Sequence, residues 1–289
     1  MYANRQEHSI IRMAGCLNVS ESGYYKWLKK KEDWLLTKRE EENIQLTEEI
    51  RSLFFKYRGI FGVRKITNLI NKNRKKKLNH KRVERLMREQ GLRSRTKKKY
   101  VSTTNSNHQE PIAEDLLKRD FTAKGPKEKL VSDTTYIQTE EGTFYAAVIL
   151  DLYGRMPLGL HMSLNNDRFL VIGALKDMIT RNIGPKSFLD CICHSDQGST
   201  YASKDYRDLL EQHGLICSMC RVGDPWDNAP MESFFGKMKT EWLDKRYKTI
   251  EHAAREVLEY TWDFYPKLRP HQSNNYLTPM EYYYLNKTV

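Results

Sequence analysis

Leu130-Val131-Ser132-Asp133-Thr134-Thr135-Tyr136-Ile137 is an apolar, β-rich run with a carboxylate in its middle. β-Branched and aromatic side chains suit a pleated, half-buried surface, so the run reads as a strand. A carboxylate is expensive to desolvate without a partner, and Asp133 therefore demands a reason. Working outward, a second strand is expected at about 143–152, reached through the hairpin turn Glu140-Glu141-Gly142, and a third at about 156–162. The pattern then changes. A helix at 167–182 opens on Asp167 as N-cap and is followed by a strand at 187–194, a helix at 203–213 and a strand at 215–219. Two closing helices are expected near 230–246 and 249–263.

Three antiparallel strands followed by alternating helix and strand predict a mixed five-stranded α/β sheet, as in the ribonuclease-H-like fold. Two more carboxylates fall at telling places on it. Asp196, in His194-Ser195-Asp196-Gln197-Gly198-Ser199-Thr200-Tyr201, lies just past a strand end, where ligands collect in open α/β sheets. Glu232 sits just inside a proline-started helix in Gly223-Asp224-Pro225-Trp226-Asp227-Asn228-Ala229-Pro230-Met231-Glu232-Ser233-Phe234-Phe235, with 35 residues between it and Asp196. If the first and fourth strands are neighbours, Asp133, Asp196 and Glu232 converge at one edge of the sheet. Their charges would repel strongly unless cations intervene, and an all-oxygen donor set favours Mg²⁺ or Mn²⁺ over zinc. Such a set can hold two divalent ions and cut or rejoin a phosphodiester chain.

Spacing alone is a weak signal, because a chain with 37 acidic residues contains such pairs by chance. The local contexts carry the reading. Asp151, in Leu150-Asp151-Leu152-Tyr153-Gly154-Arg155, is the rival to Asp133; it could instead make a turn or pair with Arg155, and mid-strand burial favours Asp133. Lys239 follows Glu232 by seven residues, so two helical turns set both on nearly one face. There Lys239 would grip a phosphate, the bland alternative being a pairing with Glu241 or solvent. Asn228 shapes the loop entering the helix and is a weaker candidate for DNA contact. His194 reads as structural, and His271 stays open.

The net charge is +12, and residues 72–99 alone hold 14 Lys or Arg against 2 Glu, so the rest of the chain balances to zero. A single-signed patch of that density is a site for a polyanion. It falls among helices. An amphipathic helix is expected at 37–57, a short one at 63–71 with Arg64 and Lys65 exposed, then a basic turn carrying Lys75, Lys76 and Lys77. A further helix at 80–90 turns Val83, Leu86 and Met87 inward and presents Lys81, Arg82, Arg85 and Arg88 to solvent. Such a helix can enter a major groove while neighbouring cations hold phosphates. Residues 9–30 form a second helical pair, with Ile10, Ile11, Ala14 and Leu17 at helical spacing; helix-turn-helix and plain hairpin both fit. Residues 93–128 read mostly as linker, with one short helix at 113–118.

No apolar run approaches the roughly 20 residues of a membrane span, and the N-terminus has no signal-peptide core, so a cytoplasmic protein is expected. Cys191, Cys193, Cys217 and Cys220 lie in or near strand-like segments; buried free thiols fit them better than zinc knuckles.

The chain resembles bacterial insertion-sequence transposases of the IS-three group (product of the second reading frame), whose catalytic core is similar to retroviral integrases. The resemblance rests on Asp133-Thr134-Thr135-Tyr136-Ile137, on the block His194 to Tyr201, and on Asp227-Asn228-Ala229-x-x-Glu232-Ser233-Phe234-Phe235-x-x-x-Lys239-x-Glu241. Arg269-Pro270-His271-Gln272-Ser273, Thr278-Pro279-Met280-Glu281-Tyr282 and Ser22-Gly23-Tyr24-Tyr25-x-Trp27 extend it over almost the whole chain. Leu130, Gly154 and Tyr265-Pro266-Lys267 depart from the usual Trp, Ser and Tyr-Asn, and none touches a carboxylate.

The resemblance implies a DDE triad of Asp133, Asp196 and Glu232, two Mg²⁺ ions (Mn²⁺ able to substitute), and transposition of double-stranded DNA in a bacterial, nucleoid-associated setting. It implies an assembly of at least two copies on DNA and an upstream-frame subunit or fusion that sharpens end recognition. A small helix-turn-helix-like segment at 1–35, a basic helical DNA-binding domain at 36–100, a linker at 101–127 and an integrase-like core at 128–289 follow. A DNA-binding regulator that no longer cuts, and a metal-dependent nuclease that cuts without joining, are the rival functions.

Overall fold

Lys129–Gln138 forms the central strand, β1, of a five-stranded sheet. Thr143–Asp151 (β2) pairs antiparallel with it through the expected hairpin, closed by Thr139 N–H donating to the Gly142 carbonyl at 2.8 Å. Met156–Ser163 (β3) pairs antiparallel with β2 across a turn in which Gly154 and Arg155 take φ of 73° and 59°. Glycine suits the first of these positions, which accounts for its presence in that turn. On the other side of β1 run two short parallel strands, Ile192–Ser195 (β4) and Ile216–Met219 (β5). The spatial order is β3-β2-β1-β4-β5, the expected mixed ribonuclease-H-like sheet.

The computed structural model describes residues 1–32, 36–95, 112–181, 188–220, 228–243 and 245–285. They divide into two compact units, Met1–Ser94 and Arg95–Val289.

In the sheet-bearing unit, Arg168–Arg181 (call it α6, counting the five helices of the first unit described below) starts at Asp167, whose Oδ1 accepts from the Phe169 and Leu170 N–H groups. Its buried face, Leu170, Val171, Ala174, Leu175 and Met178, meets Ala147, Ile149 and Leu158 of the sheet. Gly159 permits that approach: a Cβ there would stand 2.4 Å from the Ala174 carbonyl oxygen. Ser199–Ala202 (α7) and Lys204–Gln212 (α8) complete the layer with Tyr201, Tyr206 and Leu210. By strand alternation Ala146, Val148 and Leu150 point to the opposite face. The closing segments follow: Ala229–Lys237 (α9) runs on into a π-helical turn at Met238–Trp242, and Ile250–Glu259 (α10) into a longer π-helical stretch at Tyr260–Leu268. Pro279–Leu285 is α11. The sequence pattern shows these helices but not their change of winding.

The helix expected at 113–118 is not formed. Its backbone groups are used elsewhere: Leu116 N–H donates to Ser218 Oγ at 2.9 Å, Met219 N–H to the Glu114 carbonyl at 3.4 Å, and Leu117 is buried. A strap along β5 competes successfully with a helix of fewer than two turns.

The other unit is helical: Ile10–Leu17 (α1), Glu21–Glu32 (α2), Lys38–Lys56 (α3), Val63–Asn71 (α4) and His80–Glu89 (α5). Thr37 and Glu40 build a reciprocal capping box at the start of α3. Leu46, Ile50, Phe54, Phe61, Ile66, Ile70, Val83, Leu86 and Met87 form its core. The helical spacing at α1 misleads about burial: Ala14 is buried, but Ile11 and Leu17 are 68% and 59% exposed.

Candidate active site

The β1–β4 register pairs Leu130 with Cys193 and Val131 with His194. Two residues further along each chain stand Asp133 and Asp196, so parallel pairing carries both to one end of the same sheet edge and onto one face. Asp133 Oδ1 accepts from the Thr134 N–H at 2.7 Å, and Asp196 Oδ1 from the Gly198 N–H at 3.0 Å. Both carboxylates are half-buried. Burial, then the charge of Asp196, then that of Glu232 push the Asp133 carboxyl well above its usual range, and Lys239 opposes them. Asp133 therefore lies within electrostatic reach of the other two carboxylates and of Lys239.

Glu232 occupies the first turn of α9, with Pro230 opening that helix, and its side chain is exposed. The helix start is pinned to the central strand by Asn228, whose Nδ2 donates to the Ser132 carbonyl at 3.1 Å. Asn228 is 7% exposed, and its Oδ1 has no hydrogen-bond partner among the described residues. Gly223 to Asp227, which precede it, lie outside the described residues. Lys239 falls in the π-helical turn, half-buried, with Nζ 4.4 Å from the centroid of the Tyr136 ring. Burial lowers its pKa while Asp133 raises it. Glu241 accepts two bonds from Arg269, at 2.6 and 2.7 Å, in a nearly buried fork. Nothing in the sequence ties Arg269 to Glu241, which lie 28 residues apart.

Asp151 sits on the other face. It is fully buried opposite Leu130, where it accepts from the Lys127 and Tyr153 N–H groups and from the Tyr283 hydroxyl. Arg155 does not pair with it; the guanidinium instead donates to the Phe121 carbonyl at 3.3 Å. His194 is buried, with Nδ1 2.8 Å from Ser218 Oγ and Nε2 3.3 Å from Cys220 Sγ, a bracket across β4 and β5. His271 Nδ1 lies 2.7 Å from Ser273 Oγ, inside the C-terminal turn. Cys193 faces Cys217 across β4 and β5, and burial pushes the Cys193 thiol up to about 12.

Residues 123–225 and again 213–279 match integrase core domain families, and residues 39–100 match an HTH-like domain. The insertion element IS600 uncharacterized 31 kDa protein of Shigella sonnei is 35% identical over 272 residues, covering 92% of this chain and 96% of that protein. Transposase InsF for insertion sequence IS3A, of Escherichia coli K12, is 30% identical over 280 residues, covering 96% and 95%. The chain belongs to the IS3 family of transposases. Among solved structures, a simian T-cell lymphotropic virus intasome in complex with PP2A regulatory subunit B56 gamma aligns with 64% of this chain and 63% of its own, at 14% identity and a TM-score of 0.49.

This transposase is thus a polynucleotidyl transferase, and its three acidic candidates can be weighed as metal ligands. All their donors are oxygen, and Asp196 raises the pKa of its half-buried neighbour Asp133, a combination that suits a hard divalent cation. As the side chains stand, no three His, Cys, Asp or Glu among the described residues close into a ligand group. Glu232 is exposed on its helix, while Asp133 and Asp196 are half-buried.

The transposase's predicted DNA-contacting cations differ in availability. Arg64, Lys75, Lys76, Lys77, Lys81, Arg85 and Arg88 are exposed. Lys65 is not as exposed as expected: it is half-buried, with Nζ 4.9 Å from the Phe61 ring centroid. Arg82 also turns back into the unit, bonding Asn43 at 2.9 Å and Glu42 at 3.3 Å. Among the described residues no helix is long and apolar enough to cross a membrane.

Proposed function

We propose that this transposase cleaves the ends of its element and transfers the freed strand by phosphodiester transesterification, with Asp133, Asp196 and Glu232 as metal-holding catalytic residues. The observation that carries the reading is the β1–β4 register, which brings Asp133 and Asp196 side by side, with Glu232 and Lys239 of one continuous helical segment within electrostatic reach of Asp133. When bound by these oxygens, a pair of divalent cations, Mg²⁺ or Mn²⁺, would supply Lewis-acid charge at the phosphate and make water or a 3′-hydroxyl a better nucleophile. Lys239 would hold a phosphate oxygen beside them, its ammonium kept near Asp133 by the Tyr136 ring. Asn228 fixes the distance between Glu232 and β1 through its bond to Ser132. Exchange of one phosphodiester for another needs no nucleotide hydrolysis. Synapsis of two ends would require at least two copies of the chain.

The test is labelled DNA spanning an element end, incubated with Mg²⁺ or Mn²⁺. The Glu232→Gln variant should nick it about 10³-fold more slowly, the scale expected when several kcal/mol of metal-borne stabilisation is lost. Its DNA affinity should stay within about threefold, because the helical unit is untouched. Equal loss of binding and cleavage would refute the assignment. Products joined from a 3′-hydroxyl donor separate a transposase from a nuclease that only cuts.

A further inference from the structure

We infer that the open edge of β1 holds one unpaired nucleotide of the DNA strand that passes through the carboxylate site. The inference rests on the phosphodiester chemistry proposed above and adds the place of the neighbouring base. β1 pairs with β4 only as far as Val131 and His194. Beyond that point no described strand continues the ladder on this side. Asn228 closes the near end at Ser132, and a bridge between Thr139 and Tyr247 closes the far end. Between them lies a cavity of about 450 Å³, lined among others by Tyr136, Gln138, Lys239, Lys245 and Arg246. That volume is in the range of small-ligand sites.

The lining fits a nucleotide. Its described residues carry three cations, Lys239, Lys245 and Arg246, against one carboxylate, Glu140. Tyr136 keeps 39% of its surface exposed, unusual for a large ring in the central strand of a sheet. It stands about 10 Å from Asp133, the rise of three strand residues, and alternation turns the two side chains to opposite faces, so a DNA strand serving both passes round the open edge of β1. Lys239 connects the two places, since its ammonium lies over the Tyr136 ring and within electrostatic reach of Asp133. A base can stack on the ring in place of the ammonium, which then turns to the adjoining phosphate. Lys245 and Arg246 would take the next phosphates. A base can reach this ring only after leaving its own stack, which is least costly where pairing is already broken. The cavity thus selects DNA whose base pair beside the cut is open.

The experiment uses the full chain and measures anisotropy with two labelled end duplexes, one fully paired and one with mismatched bases beside the cut. Wild type should hold the mismatched duplex about 10-fold more tightly, within the span of base–aromatic stacking. Tyr136→Ala should abolish that preference, weakening the mismatched duplex about 10-fold more than the paired one; Tyr136→Trp should retain it. A 5-iodouracil placed at the unpaired position should photocrosslink to Tyr136. Absence of the preference in wild type, its survival in Tyr136→Ala, or a crosslink confined to another segment would overturn the inference. Nicking assayed in parallel separates the two failures. Glu232-dependent nicking without a mismatch preference sinks the cavity alone, whereas a mismatch preference without metal-dependent nicking sinks the phosphodiester reading.

Discussion

Asp133 and Asp151 lie on paired strands, both drawn out of bulk water, and differ in which face of the sheet they occupy. Asp151 receives three donors, and burial outweighs them and the nearby charge of Lys127 to push its pKa up to about 7 from an ordinary 3.8. Between those two values the folded chain keeps a proton that the unfolded chain has released. Stability should therefore fall as pH rises from about 4 to about 7, by an amount on the order of a few kcal/mol, and fall no further above that. Asp151→Asn should flatten this slope in urea unfolding at pH 5 and pH 8. At pH 5, where the folded carboxyl is already protonated and neutral, the variant should stay within about 1–3 kcal/mol of wild type. An unchanged slope would show that another group sets it. The oddity of Asp133 was legible from its neighbours Val131 and Ile137. Its face was not, because only the pairing of Asp133 with Val148, and of Asp151 with Leu130, assigns the two carboxylates to opposite sides.

Alternation and turn residues locate the strands, and β1 to β3 fall within a residue or so of expectation; β4 begins five residues later than expected, and the neighbouring of the first and fourth strands, only a condition in the sequence reading, is given by the pairing. The helices after residue 228 were legible as helices only. Apolar spacing reports that a segment winds but scarcely distinguishes α from π winding, and both closing helices change at their C-terminal ends. Pro266, inside the second, is the one local clue, since it lacks the N–H that an α-turn would use. These π-helical ends carry Glu241 and lead directly to Arg269, whose fork joins the two segments. Arg269→Ala should destabilise the chain by about 3–5 kcal/mol in urea or thermal unfolding, because it strands a nearly buried Glu241. Replacing both partners with Met should restore most of that loss; a double variant as unstable as the single one would mean that the fork is not the cause. Local pattern suggests a helix at 113–118 for a related reason: the strap's partners, Ser218 and the β5 backbone, lie about a hundred residues away, outside any local pattern.

Excess charge and candidate chemistry occupy different parts of the chain, and composition alone exposed that division. Lys75, Lys76 and Lys77 belong to the helical unit, while all three carboxylates follow Ser94. Changing the three lysines to Gln should weaken binding to element ends and to unrelated DNA alike. It should also reduce the salt dependence of log K by roughly 3, the count expected for three lost phosphate contacts. Loss of affinity for element ends alone would instead assign them to sequence reading. The order of the units along the chain has its own outcome during synthesis. A ribosome that has passed Ser94 has completed a unit with its own apolar core, whereas Glu232 emerges more than a hundred residues later. On the proposed division of labour, any product abandoned in that interval would hold the DNA-binding unit and lack Glu232. Premature termination, message decay and proteolysis would thus each generate an antagonist of the intact protein, and the element would restrain its own movement most where translation is least complete.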